Sequence, residues 1–135
     1  MILPICAPSG VGKTTFILLL SDSLITLGVS LAVIKSTHHH TLKEASSDTD
    51  SHRYLQLKIP FFISSDSQEM LLFAHRQQVD IVLVEGGRSL NLPSVVLRRG
   101  PHDPSWQPPK NVLRIVNLEN SKALFETTAW LMSQL

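Results

Sequence analysis

Two glycines, a lysine and two threonines are spaced for the capture of a polyphosphate in the segment Ala7-Pro8-Ser9-Gly10-Val11-Gly12-Lys13-Thr14-Thr15. The segment satisfies the pattern G-x-x-x-x-G-K-[ST] except at its first position, where Ala7 stands for glycine and serves mainly to end a strand. Such a loop turns its backbone N–H groups, here those of Ser9 to Thr15, inward around an anion. Gly10 and Gly12 allow that curvature, because glycine reaches positive φ at little cost and lets a phosphate approach the main chain. The helix that follows aims its unpaired N–H groups and partial positive charge at the same anion. Lys13 is expected to bridge β- and γ-phosphate oxygens, the Thr14 hydroxyl to ligate magnesium, and Thr15 to serve the α-phosphate.

A magnesium–triphosphate site also needs a carboxylate facing the loop, at the end of an apolar strand. Ile81-Val82-Leu83-Val84-Glu85 ends in one, and Gly86-Gly87 lets the chain leave tightly. Glu85 is therefore the expected magnesium partner, direct or through water, and the residue expected to orient an attacking water. Asp80, at the other end of the run, reads as structural. By the same strand-end logic, Val33-Ile34-Lys35-Ser36-Thr37 brings Lys35 and Thr37 towards the nucleotide or a second substrate. His38, His39 and His40 follow. Three adjacent histidines invite a metal reading, yet neighbouring side chains in an extended loop diverge, whereas metal sites converge their ligands. Contact of one of them with an anion and plain solvation are the other two readings. Arg53 and Arg88 are the arginines placed to approach a phosphate, or else to pair on the surface. Trp106 and Trp130 read as packing residues.

The elements that must hold these groups alternate along the chain. Residues 2–6 read as a buried strand, and Thr14 to Leu27 as a helix with Ile17, Leu20, Leu24 and Leu27 on one face and Gly28 at its C-terminal end. Val29 to Lys35 is a second strand, and residues 36–49 a polar loop. A short helix over Asp50 to Leu57 and a strand over Ile59 to Ser64 come next. Asp66 then caps a helix running to about Gln78, with Glu69 completing a capping box. Strands follow over Asp80 to Glu85, Pro93 to Arg98 and Asn111 to Val116. Residues 99–111 hold four of the eight prolines and read as irregular. Glu119 to Leu135 is the terminal helix, with Leu124, Ala129, Met132 and Leu135 on its buried side. The alternation implies an α/β three-layer sandwich of the P-loop NTPase type around a largely parallel sheet, in a single domain over 1–135.

Composition agrees. Of the 135 residues, 43% are hydrophobic and 17% charged, a globular balance. The formal net charge of +1 argues against nucleic acid as a partner, which would need a concentrated cationic surface. No apolar run approaches ~18 residues and no secretory signal opens the chain, so no membrane association is expected and the protein reads as cytoplasmic. The single cysteine, Cys6, excludes an internal disulfide and reads as a buried, inert thiol.

The phosphate loop, Val33-Ile34-Lys35-x-Thr37-His38-His39, Asp50-Ser51-x-Arg53, Val84-Glu85-Gly86 and the strand ending Val96-Leu97-Arg98 together resemble the molybdopterin-guanine dinucleotide biosynthesis protein B family, MobB. Val116-Asn117-Leu118-Glu119 is similar to that family's closing step into the last helix. The family's loop usually begins with glycine where this chain has Ala7, and Tyr54 departs from its usual pattern after the arginine. The resemblance implies a GTP-binding homodimer with weak GTPase activity that assists the guanylyltransferase attaching GMP to molybdopterin. It is also the source of GTP: no Asn-Lys-x-Asp element reads guanine, and the residues alone leave ATP equally open. The dimer surface is expected near Val95 to Leu97. Two other readings stand beside this one: a small-molecule kinase using ATP or GTP, and a P-loop domain that has lost nucleotide binding.

Overall fold

The structure, a computed structural model, describes residues 1–37 and 49–135. His38, His39 and His40 lie outside the described residues, and the three readings of that triplet with them. Six strands form one all-parallel sheet: β1 (Ile2–Cys6), β2 (Leu31–Ser36), β3 (Phe61–Ser64), β4 (Ile81–Glu85), β5 (Ser94–Arg98) and β6 (Val112–Asn117), in the spatial order β3-β2-β4-β1-β5-β6. The helices are α1 (Lys13–Thr26), α2 (Thr49–Leu55), α3 (Ser67–Arg76) and α4 (Ala123–Gln134), with a 3-10 turn at Arg88–Leu90.

The central strands are continuous apolar runs because both of their faces are covered. Leu3 and Ile5, Leu31 and Val33, and Ile81 and Leu83 join Ile17, Leu20 and Leu24 of α1, Tyr54 of α2 and Leu131 of α4 in one core. The alternate positions Ala32, Ile34, Val82 and Val84 meet Met70 and Ala74 of α3 and Leu90 on the other face. Two helical layers therefore clamp the sheet.

Three expectations about packing need correction. Leu27 is 54% exposed, because α1 closes one residue earlier. The Gly28 N–H bonds the Ile25 carbonyl and the Val29 N–H bonds Leu24, a Schellman closure with Gly28 at φ 85 that swings Leu27 outward. In the terminal helix the buried line is Ala123, Thr127 and Leu131, four residues apart, with Leu124 half-buried and Ala129, Met132 and Leu135 exposed. That helix begins at Ala123 rather than Glu119, after turns that reset its phase. The expected dimer surface at Val95, Val96 and Leu97 is buried at 0–5% exposure, since β5 lies inside the sheet between β1 and β6. Edge strand β6 instead leaves Leu113 and Ile115 at the surface.

Local signals hold the rest in register. Asp66 caps α3 by accepting from the Gln68 and Glu69 N–H groups. Glu69 completes the cap indirectly: its carboxylate accepts from the Ser64 hydroxyl, whose oxygen accepts the Asp66 N–H. At the opposite end of the sheet the Ser30 N–H donates to the Asp80 carboxylate, and the Asp80 N–H to the Ser30 hydroxyl. Hydrogen bonds from the Ser30 backbone and side chain hold the Asp80 carboxyl below its usual range, so the clasp persists above the ordinary carboxylate pKa and is lost only as pH falls through the lowered value.

Gly87 is the tightest of these local points. At φ 77 an added Cβ would stand 2.7 Å from Val84 Cγ1 and 3.3 Å from Leu90 Cδ1, beneath the exit from β4. Left-handed strain and overpacking together predict that Gly87→Ala costs about 3 kcal/mol of stability. Denaturant unfolding measures it, and a loss below about 0.5 kcal/mol, the scale of an innocuous surface change, would contradict the packing described.

Candidate nucleotide-binding site

Strand β1 ends at Cys6, and the chain then turns through Gly10 at φ 80 and Gly12 at φ 98 before α1 begins at Lys13. Gly12 is the N-cap residue, so no side chain caps the helix, and no acidic residue stands in its first turn. The first-turn N–H groups are thus left for an outside acceptor, and the dipole there favours an anion. Val11 turns its carbonyl to the other side, where it accepts from Arg99 Nε at 3.2 Å.

β4 runs beside β1, with Glu85 in register with Ile5 on one side and Lys35 of β2 on the other. Glu85 is 5% exposed and accepts one short hydrogen bond at each carboxylate oxygen. The Thr14 hydroxyl donates to Oε1 at 2.6 Å and the Tyr54 hydroxyl to Oε2 at 2.6 Å. Tyr54 is fully buried on α2, stacked on Phe61 with 5.1 Å between ring centroids. A wall of packed aromatic rings therefore fixes the carboxylate against the start of α1.

An open cleft of about 590 Å³ lies over these groups, lined by Ser9, Gly10, Gly12, Lys13, Thr14, Thr15, Lys35, Thr37, Arg53 and Glu85. Residues expected from four separate segments are gathered there. Among the described residues, three cationic side chains face one carboxylate across it, a balance suited to a polyanion that brings a divalent cation. A second cleft of about 390 Å³ meets the first at Lys13 and Ser36 and extends to Arg88 and Trp106. Arg88 thus lies outside the first cleft; its guanidinium stacks 5.1 Å above the Trp106 ring and donates to the Gln107 carbonyl. Trp130 is covered in the same way by Arg114. Cys6 donates its thiol to the Gly86 carbonyl at 3.4 Å, and burial pushes that thiol's pKa up despite the nearby Lys13 and Arg88 charges. It is placed as an inert packing group.

The donor set fits magnesium. Among the described residues no three His, Cys, Asp or Glu side chains gather as a protein-only metal site. Magnesium asks for less, one or two protein oxygens with the remaining positions filled by phosphate and water. Thr14 Oγ1 and Glu85 Oε1, already 2.6 Å apart beside the loop, are the two protein oxygens that converge.

Two contributors were not marked by any local motif. Tyr54 reaches Glu85 across 31 residues, and its one sequence signal is the spacing Ser51, Tyr54 on the buried side of a short helix. Arg99 reaches Val11 across 88 residues from the proline-rich excursion, with no pattern to announce it.

Among the described residues no helix is long and apolar enough to cross a membrane. No curated protein matches the chain in sequence. In shape it is similar to FlhF, solved in complex with GMPPNP and Mg2+, with a TM-score of 0.56 and 12% identity. The match covers 96% of this chain and 60% of that one; at this identity the likeness shows the P-loop fold. The family model for molybdopterin guanine dinucleotide synthesis protein B matches residues 2–118. With its phosphate loop, strand-end glutamate and parallel sheet in that order, the chain belongs to the MobB family.

Proposed function

We propose that the chain binds GTP with magnesium and acts as a nucleotide-binding adapter in molybdopterin guanine dinucleotide synthesis, hydrolysing GTP slowly. The observation that carries this reading is the Thr14 hydroxyl bonded to Glu85 beneath an uncapped helix start. Family membership and the FlhF neighbour's GMPPNP and Mg2+ support the choice of GTP and magnesium. Lys13 and the loop amides from Ser9 to Thr15 hold the phosphates, while Lys35 and Thr37 approach from β2. Magnesium, held by Thr14 and Glu85, supplies charge neutralisation at the terminal phosphates. Both oxygens of Glu85 already accept hydroxyl protons, which suits it to steady the metal and its water more than to strip a proton from an attacking one. Slow turnover follows. A homodimer in the cytoplasm and a guanylyltransferase partner belong to the same proposal, with Leu113 and Ile115 on the β6 edge as the apolar surface to cover. Light scattering at the mass of one chain would remove the dimer.

The test is calorimetric titration of the purified protein with GTP, with magnesium and with EDTA. Magnesium is expected to tighten binding by about tenfold or more, a differential of at least ~1.4 kcal/mol. Equal affinity in both buffers, or no binding, would overturn the reading. The second cleft, meeting the first at Lys13, favours one competitor, a kinase whose acceptor sits there. Labelled γ-phosphate appearing on an added metabolite instead of in slowly released phosphate would decide for it.

A further inference from the structure

The ends of β5 and β6 carry polar groups that the phosphate site does not use. Asn117 closes β6, and its carboxamide oxygen accepts the N–H groups of Gly100 at 3.2 Å and Glu119 at 3.0 Å. The amide nitrogen of Asn117 is left as a donor, and among the described residues neither it nor the Glu119 carboxylate has a hydrogen-bond partner. Gly100 lies buried between them at φ 74, and a Cβ there would stand 3.1 Å from Glu119 Oε1. The glycine thus leaves room for the carboxylate to lie over the chain. Arg99, the next residue back, holds the Val11 carbonyl of the phosphate loop. Two residues therefore span from the wall of that loop to Glu119.

Direction decides what this cluster meets. Glu85, Lys35 and Arg53 all lie on the β4-β2-β3 side of β1, so the metal and the terminal phosphate belong there. A nucleotide held in that sense leaves the loop, past Thr15, on the opposite side, where β5 and β6 end. We infer that Asn117 and Glu119 form the base-reading site and select guanine, an inference that rests on the triphosphate reading above. Guanine presents adjacent N1–H and N2–H donors, which a carboxylate accepts side by side, and O6 and N7 acceptors, which an amide N–H₂ can serve. Adenine would set its unprotonated N1 against the Glu119 carboxylate and its amino group against the Asn117 donor. Both contacts oppose it.

The test titrates the purified full chain, in magnesium, with GTP, ITP (which lacks the 2-amino group), XTP and ATP, for wild type and Glu119→Gln. Glu119 is exposed, and thermal melting checks that the variant folds. Wild type is expected to prefer GTP over both ITP and ATP by about ten- to a hundredfold. Glu119→Gln should lose most of that preference, through weaker GTP binding and through ATP binding that holds or tightens once the carboxylate no longer opposes adenine N1, and should gain XTP, whose 2-oxo group accepts from the new amide. A GTP-to-ATP ratio unmoved by the substitution, or no base preference in the wild type, would overturn the base-reading assignment while leaving the phosphate loop intact. Failure of every triphosphate to bind would instead overturn the triphosphate reading, and this inference with it.

Discussion

Lys13→Ala is expected to weaken magnesium–GTP binding by about a hundredfold or more while leaving the fold intact. The lysine is half-buried at the first position of α1, where its ammonium meets the same anion as the loop amides. Hydrogen bonds between charged partners are each worth about 1.5–3 kcal/mol, so the loss of two from one ammonium reaches ~3–6 kcal/mol. The conversion is tenfold per ~1.4 kcal/mol. No backbone turn depends on the side chain, since Gly10 and Gly12 set the curvature. The unliganded melting temperature should therefore hold, or rise slightly as one cation leaves a cluster that includes Lys35 and Arg53. Calorimetry and a thermal melt on the same preparation give both numbers. GTP affinity within about threefold of wild type, less than one such bond, would show that the loop does not grip phosphate.

What made Lys13 and Glu85 legible in the sequence is that both signals are local. The loop depends on residues two to five apart, and the carboxylate on its place at the end of an apolar run. The sheet was readable for the same reason: runs such as Ile81 to Val84 are buried on both faces and leave little ambiguity of type. Phase was harder in α4, where Leu124, Ala129, Met132 and Leu135 form one plausible stripe and Ala123, Thr127 and Leu131 another. Threonines read as polar, yet packing against α1 buries Thr127 at 1% exposure, so tertiary contact settled the face. Val95 to Leu97 illustrates the same limit from the other side. An apolar strand announces burial without saying whether a sheet neighbour or a second chain covers it, and here the neighbour is β6. Tyr54 showed only its spacing from Ser51, because its worth lies in where α2 docks, a property of the fold rather than of the residues flanking it.

That tyrosine sharpens the second large effect, a change of sign at Glu85. In the wild type the carboxylate repels phosphate when magnesium is absent and favours it when magnesium is present. Glu85→Gln removes the charge and keeps the shape. GTP binding in EDTA should hold or improve, whereas the gain from magnesium should fall by about tenfold or more, since a neutral amide is a poor partner for a hard cation. Stability also falls. Thr14 and Tyr54 donate to different carboxylate oxygens, and the amide oxygen can occupy only one of those two positions, so the N–H₂ meets a hydroxyl that must turn around, at a cost of about 1–3 kcal/mol for buried groups. Tyr54→Phe separates the two consequences. It deletes one hydroxyl bond, keeps the Phe61 stacking and the negative charge, and should lose about 1.5–3 kcal/mol of stability with the magnesium gain preserved. If Glu85→Gln kept the full gain, or Tyr54→Phe lost it as well, the carboxylate would be a packing element held by its two hydroxyls, and the metal would have to be sought elsewhere. The geometry argues otherwise, because the bond to Thr14 places the charge against the one hydroxyl in α1 whose position in the loop pattern is that of a metal ligand.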